Sequence, residues 1–281
     1  MRLGVSTSFS FRDAEDWITK HVSLGLRSVV FPFSCEEDPK VSHEFARWAK
    51  ANDITIAEVG VWRNTLDSDM EKRSANVEYA IGQLMLAEKI GAKCCVNVAG
   101  TPHGDRWDGG YAANFSDETR REIIKTVRFI IDEVKPKKTK FTLEPLPWMV
   151  PAGPDDYLRL LEEVERDEFA VHFDFINMIN SAERFFHMND FMDECFEKLG
   201  KYTVICHLKD IKLLPDYTFC VKETKCGDGA MDIKRFIYKA NKIDPDMPVI
   251  IEHLDTDKEY FESVQYVFSL LSKKRSSALN S

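Results

Sequence analysis

At 281 residues, with 44% hydrophobic and 30% charged side chains, the chain has the composition of one ordinary globular body, and its length suits a single α/β barrel or two small domains. A formal net charge of −9 repels phosphodiester backbones and anionic membranes, which argues against general nucleic-acid binding and favours small neutral or cation-assisted substrates. No apolar run approaches the roughly 20 residues of a membrane helix, and the start, Met1-Arg2-Leu3-Gly4-Val5, runs into a strand without a leader.

Strand-like apolar runs are predicted in chain order at 2–8, 28–33, 54–61, 93–99, 140–146, 170–175, 203–209 and 248–254. Amphipathic helices are predicted between and after them, at 13–24, 39–52, 68–91, 117–135, 154–166, 181–199, 232–242 and 257–272. Ser116-Asp117-Glu118 and Pro154-Asp155-Asp156 read as helix starts, and Ser181 as the cap of the sixth helix. Eight strand–helix units predict a single-domain (β/α)8 TIM barrel over 1–272, followed by a flexible tail at 273–281. An open doubly wound sheet is the alternative, but its glycine-rich phosphate turn is missing after the first strand, where Ser6-Thr7-Ser8-Phe9 stands. Cys226-Gly227-Asp228-Gly229 reads as a tight turn into the seventh helix, a shape that can also border a pocket. The seven cysteines show no CxxC pair, and Cys94, Cys95, Cys195 and Cys206 lie in apolar stretches. Reduced, mostly buried thiols in the cytoplasm are therefore expected.

Four hydrophobic runs break on a side chain that can bind metal: Phe141-Thr142-Leu143-Glu144, Val171-His172-Phe173-Asp174, Val204-Ile205-Cys206-His207 and Val249-Ile250-Ile251-Glu252. They are spaced by about one strand–loop–helix unit each and fall on the last four predicted strands. An ionised carboxylate inside a barrel must be paired, metal-bound or raised in pKa, so the four together point to a divalent-metal site made of Glu144, Asp174, His207 and Glu252. Three carboxylates and one imidazole suit Mn²⁺ best, with Mg²⁺, Co²⁺ or Zn²⁺ as alternatives. A metal chelated by a ketone oxygen and its neighbouring hydroxyl would acidify the shared C–H and hold the enediolate, with Glu144 and Glu252 as the proton-transfer groups.

Lys209 shares strand parity with His207 and reads either as a catalytic group in the same mouth, binding a substrate oxygen or protonating a leaving group, or as a partner of Asp210 or Asp174. His172 lies one layer deeper and reads as a hydrogen-bonded core histidine. Asn177 and Asn180 follow Asp174 and are placed to orient it or the substrate. Trp62, Arg63, Asn97 and Trp148, at strand ends, are candidate walls of a sugar pocket. Two long connections, Thr101 to Ser116 and Ile211 to Cys226, are candidate lids, the first carrying His103, Asp105, Arg106, Trp107 and Gly109-Gly110. His253 has parity opposite to Glu252 and is expected to point outward. His21, His43 and His187, on helices, receive no role, and Trp17, Trp48, Phe185 and Phe186 are expected to pack helices against the barrel.

Leu143-Glu144-Pro145-Leu146, His172-Phe173-Asp174, Cys206-His207-Leu208-Lys209-Asp210, Gly227-Asp228-Gly229 with Asp232, and Ile251-Glu252 together resemble the sugar phosphate isomerase/epimerase group of the xylose-isomerase-like barrels. The resemblance spans nearly the whole chain. It implies Glu144, Asp174, His207 and Glu252 as ligands of one divalent metal, Glu144 and Glu252 doubling as acid/base groups, and a homodimer. The ketose 3-epimerases of the group carry a Glu where Val150 stands and a His where Asn177 stands, so a simple ketohexose 3-epimerase is not implied. A three-zinc endonuclease site would need histidines that Gly60, Asn97 and Asn177 do not supply. The His-Leu-Lys-Asp run looks more like the inosose dehydratases. The leading expectation is a metal-dependent isomerase or epimerase of a small polyhydroxy carbonyl compound. A lyase on a keto-sugar or keto-cyclitol, with Lys209 assisting the leaving group, comes second, and a non-catalytic sugar-binding barrel or partner-dependent subunit third.

Overall fold

A computed structural model describes residues 1–6 and 9–277, with side chains to Ser272. Eight parallel strands form one sheet: β1 (Arg2–Val5), β2 (Ser28–Val30), β3 (Thr55–Gly60), β4 (Cys94–Asn97), β5 (Lys140–Leu143), β6 (Phe169–Asp174), β7 (Thr203–Leu208) and β10 (Pro248–Ile251). Their order around the barrel is β1, β10, β7, β6, β5, β4, β3, β2, and the Arg27 amide donates to the Leu3 carbonyl at 2.8 Å where β1 comes round to β2. The helices are α1 (Ala14–Ser23), α2 (Pro39–Ala51), α3 (Met70–Ile90), α4 (Asp117–Val134), α5 (Pro154–Val164), α6 (Ala182–Phe186), α7 (Met188–Leu199), α8 (Ile233–Ile243) and α9 (Asp257–Ser277). The expected single-domain (β/α)8 TIM barrel is observed, with every predicted strand in place. The predicted tail, 273–281, falls on side chains and, from 278, on backbone outside the described residues.

Local chemistry accounts for the element starts. The Ser116 hydroxyl accepts from the Thr119 amide at the head of α4, Pro154 opens α5, and the Ser181 hydroxyl accepts from the Arg184 amide at the head of α6. The predicted sixth helix is two helices, α6 and α7, meeting at His187.

Alternation along the strands sorts two layers. Phe141, Leu143, Val171, Phe173, Cys206, Leu208, Val249 and Ile251 face the helices in the main core. Cys94, Val96, Ile205 and Ile250 pack in a smaller apolar cluster of the opposite strand parity. The wholly buried Phe141, Phe173 and Phe236 each contribute roughly 2–3 kcal/mol by leaving water. Trp17 is buried against Phe31 and Phe45 and Phe185 is nearly buried, as expected, but Phe186 is 68% exposed: it takes the outer side of the single-turn α6 once Phe185 has taken the inner one.

The connection from Ile211 to Cys226, one of the two candidate lids, is an antiparallel hairpin. β8 (Asp210–Leu213) pairs with β9 (Val221–Thr224), and the alternation of Ile211-Lys212-Leu213 with Val221-Lys222-Glu223 around Pro215-Asp216 accounts for it. Asp210 ties the far end of this excursion: its carboxylate accepts from the amides of Ile211, Gly227, Gly229 and Met231. A Cβ on Gly229 would lie 2.1 Å from Asp210 Oδ1, so Cys226-Gly227-Asp228-Gly229 is a turn wrapped on a carboxylate. All seven cysteines are free thiols, five of them buried, as expected. Among the described residues, no helix is long and apolar enough to cross a membrane.

Candidate active site

Glu144, Asp174, His207 and Glu252 meet at the C-terminal ends of β5, β6, β7 and β10, the face where barrels of this architecture carry their sites. Asp174 and His207 are register partners on adjacent strands, while Glu144 and Glu252 each lie one residue past a strand end. One ligand atom from each of the four lies within 4.8 Å of the others, and all four residues are buried. A depression of about 880 Å³ lined by Arg2, Arg47, Lys50, Lys89 and Lys93 opens at the other end of the strands. Chemistry rather than volume locates the site.

His207 Nδ1 stands 2.7 Å from Glu252 Oε2 and 3.8 Å from Glu144 Oε2. Lys209 Nζ lies 2.8 Å from both Asp174 Oδ2 and Glu252 Oε1, and 3.2 Å from Glu223 Oε1 on β9. The Asn177 side chain donates to Glu144 Oε1 at 2.9 Å, and its amide donates to Asp174 Oδ1 at 3.0 Å. Glu58, on β3, has one oxygen, Oε2, 3.0 Å from His172 Nε2 and 3.1 Å from His207 Nε2.

Four buried carboxylates face two imidazoles and one ammonium. Burial pushes Glu144 well above the usual carboxylate range, and the charge of Glu252 adds to the push. Burial opposes ionisation of Glu252 too, but there His207 and Lys209 win and hold its carboxyl well below that range. Burial would likewise discharge His207 and Lys209; the fields of Glu252 and Glu58 on the first, and of Asp174 and Glu252 on the second, raise both instead.

Two atoms bear on whether these residues suit a metal. His207 Nδ1 and Asp174 Oδ2 are buried without a well-formed hydrogen bond, although they lie 2.7 Å from Glu252 Oε2 and 2.8 Å from Lys209 Nζ. With Glu58 satisfying His207 Nε2, Nδ1 is the ring nitrogen left to exchange its proton for a cation, and it joins three carboxylates in a hard oxygen-and-nitrogen donor set that fits a divalent cation.

The remaining predicted residues sit apart from the cluster. Asn97 is in register with Leu143, on the helix-facing parity, and its amide holds the backbone N–H and carbonyl of Arg63 at 3.3 and 3.0 Å. The Arg63 guanidinium lies 4.6 Å from the Tyr79 ring centroid. Trp62 folds back over Gly60, where a Cβ would come within 2.0 Å of its Nε1. Trp148 donates to the Asp108 carbonyl at 2.7 Å, His103 is exposed, and Trp107 is half-buried against the core. Asn180 donates to the Pro147 and Ala152 carbonyls.

His172 is the hydrogen-bonded core histidine that was expected. His253 departs from expectation: its Nδ1 lies 3.3 Å from Lys209 Nζ and 3.1 Å from Glu223 Oε1. β10 ends at Ile251 and His253 takes φ +55°, so strand parity no longer governs its direction. Two site residues lay outside the sequence reading, Glu58 and Glu223. Glu58 had a signal, a lone carboxylate within Thr55-Ile56-Ala57-Glu58-Val59-Gly60; Glu223 depends on the hairpin.

The fold and this cluster define the class of protein, a (β/α)8 barrel with a buried carboxylate–imidazole group that could hold a metal ion at the C-terminal ends of its strands. The model of the xylose isomerase-like TIM barrel family matches residues 18–270, and the chain belongs to that family. No curated protein matches the chain in sequence. Among solved structures it is similar to the probable 3-DHS dehydratase of Bacillus anthracis involved in petrobactin synthesis, at 16% identity and TM-score 0.70, over 95% of this chain and 99% of that one. It is similar to D-psicose 3-epimerase from Clostridium cellulolyticum H10, solved with D-tagatose, at 14% identity and TM-score 0.70, over 96% and 97%. It is also similar to a xylose isomerase-like TIM barrel protein from Mycobacterium smegmatis in complex with magnesium, at 16% identity and TM-score 0.67, over 93% and 90%. At these identities the likeness is one of fold.

Proposed function

We propose that the chain is a divalent-metal-dependent isomerase or epimerase acting on a small polyhydroxy carbonyl compound, with Glu144, Asp174, His207 and Glu252 as ligands and Mn²⁺ as the preferred ion over Mg²⁺, Co²⁺ or Zn²⁺. The observation that carries this reading is the convergence of those four buried side chains within 4.8 Å, two of them with unpartnered donor atoms. A divalent cation there would polarise a ketone oxygen and its neighbouring hydroxyl and so acidify the C–H between them. Glu144 and Glu252 approach from β5 and β10, with β6 and β7 between them, and in this reading one takes that proton and the other returns it. Asn177 holds Glu144 for this exchange through the 2.9 Å bond to Oε1. The half-exposed rings of Trp62 and Trp148 would offer stacking surfaces for a sugar, Arg63, His103 and Trp107 would supply further contacts, and Asn97 fixes the Arg63 segment.

A lyase reading is favoured by one specific observation, the buried ammonium of Lys209 lodged between Asp174 and Glu252. An acid at that position would protonate a departing hydroxyl β to the ketone after the same first deprotonation. The probable dehydratase among the similar folds is in keeping with it.

The test is mass spectrometry of keto-sugars, aldoses and keto-cyclitols incubated in D₂O with the Mn²⁺-supplemented protein, beside an EDTA-treated control. Metal-dependent deuterium uptake without loss of water supports the isomerase or epimerase. Loss of water moves the protein to the lyases, and no exchange with any substrate overturns both readings.

A further inference from the structure

We propose that Glu58 is a positioning residue that fixes the tautomer of His207 and thereby aims its Nδ1 lone pair at the cation site, an inference that rests on the metal-binding reading above. Glu58 is 2% exposed in the middle of β3, across the barrel from β6 and β7. Its Oε2 accepts from two imidazoles at once, His172 Nε2 at 3.0 Å and His207 Nε2 at 3.1 Å, whose rings stand 4.1 Å apart and nearly perpendicular, at 85°.

The chemistry of these partners leaves one arrangement. An ionised carboxylate only accepts, so both Nε2 atoms carry hydrogens. In the cation-bound state the ligating imidazole is neutral, and with its hydrogen on Nε2 the lone pair lies on Nδ1, the atom that stands between Glu144 and Glu252. Glu58 therefore selects which nitrogen of His207 is free to bind. His172 braces Glu58 from the second side, and its own Nδ1 is likewise buried and unpartnered, so it takes no other hydrogen bond. A pair of imidazoles on one oxygen also fixes the carboxylate in rotation, which neither histidine alone would do.

The Glu58→Met variant keeps the length of the side chain and removes the acceptor. Because both imidazoles meet the same oxygen, Oε2, a glutamine could still accept from both through its carbonyl, whereas methionine leaves His207 Nε2 with no strong acceptor and neither tautomer favoured. Loss of an outer partner of this kind typically weakens metal binding on the order of 10- to 100-fold. Glu58→Asp retains an acceptor-only group with shorter reach and should recover part of the affinity.

The experiment combines two readouts that do not depend on turnover. In the wild-type protein with ¹⁵N-labelled histidine, loaded with Mg²⁺, long-range ¹H–¹⁵N spectra should show His207 and His172 both protonated at Nε2 alone. A hydrogen on His207 Nδ1 would overturn the proposal. Titration with Mn²⁺ followed by electron paramagnetic resonance should then show the 10- to 100-fold loss in Glu58→Met and partial recovery in Glu58→Asp. Unchanged affinity in a folded Glu58→Met protein overturns this proposal and leaves the metal site standing, whereas a wild type that takes up no Mn²⁺ overturns both. If Glu58→Met fails to fold, the wild-type spectrum alone decides.

Discussion

Asn177 donates its side-chain amide to Glu144 at 2.9 Å, spanning from the turn after β6 to the end of β5. The bond occupies Oε1 and leaves Oε2, the oxygen 3.8 Å from His207 Nδ1, facing the other candidate ligands. Asn177→Ala frees Glu144 to rotate. A hydrogen bond to a carboxyl group in the interior amounts to about 1.5–3 kcal/mol when charged, so metal-dependent C–H exchange should slow by roughly tenfold or more while circular dichroism stays unchanged. Asn177→Asp should be worse, because it sets a second carboxylate against the already raised Glu144. Exchange at the wild-type rate in Asn177→Ala would show that this contact does not orient the base.

Lys209 is the one ammonium in the cluster, and its removal leaves Asp174 and Glu252 without their buried counter-charge. Lys209→Met should destabilise the metal-free protein by about 3–5 kcal/mol, the usual cost of breaking a buried pair from one side. Saturating Mn²⁺ should restore part of this, since the cation supplies the missing positive charge to the same oxygens. The variant also separates the two enzymatic readings. An epimerase or isomerase would keep solvent-deuterium exchange, while a lyase using Lys209 as its acid would lose water release. Preserved water release in Lys209→Met would remove lysine from that role.

Metal uptake should appear in stability before it appears in any assay of turnover. A ligand that binds the folded state alone, present at a hundred times its dissociation constant, adds about 2.7 kcal/mol. Thermal unfolding after EDTA treatment should therefore rise on addition of Mn²⁺. In Asp174→Asn, where one of the two unpartnered donor atoms loses its charge, the rise should largely vanish. An equal rise in both proteins would place the cation elsewhere.

The barrel was legible in the sequence because its strands are buried on both faces and read as unbroken apolar runs. The four candidate ligands were legible for the complementary reason: a charged group at the end of such a run must have a partner. Glu58 interrupts β3 in the same manner, but its meaning lies in His172 and His207, 114 and 149 residues further on, and nothing local announces an oxygen shared by two imidazoles. Strand parity worked for His172 and Lys209, which lie within or just beyond a strand, and failed for His253, where φ turns positive past the end of β10. Asn97 shows a further limit. Apolar composition marks a strand without saying which face each residue takes, and pairing with Leu143 is what turns Asn97 toward the Arg63 backbone. The hairpin of β8 and β9 did carry period-two alternation, but only over strands of four residues each.

Away from the site, acid stability has a specific contributor in Asp193. This carboxylate on α7 meets Arg235 on α8 at 2.9 and 2.5 Å and Lys239 at 2.7 Å, and the Arg235 hydrogen bonds, followed by that of Lys239, hold its pKa near 2, against 3.8 for an ordinary aspartate. Because the folded value lies below the unfolded one, the contribution is complete above about pH 4 and is lost as the pH falls through about 2. The side chain is 39% exposed, so solvent screening limits the gain to about 1 kcal/mol or less. Asp193→Asn should accordingly be slightly less stable than wild type at pH 6, measured as a shift in urea midpoint, and the gap should close as the pH is lowered from about 4 toward 2. One molar salt should also narrow it at pH 6. A gap that persists undiminished into acid would mean that Asp193 joins α7 to α8 by packing rather than by charge.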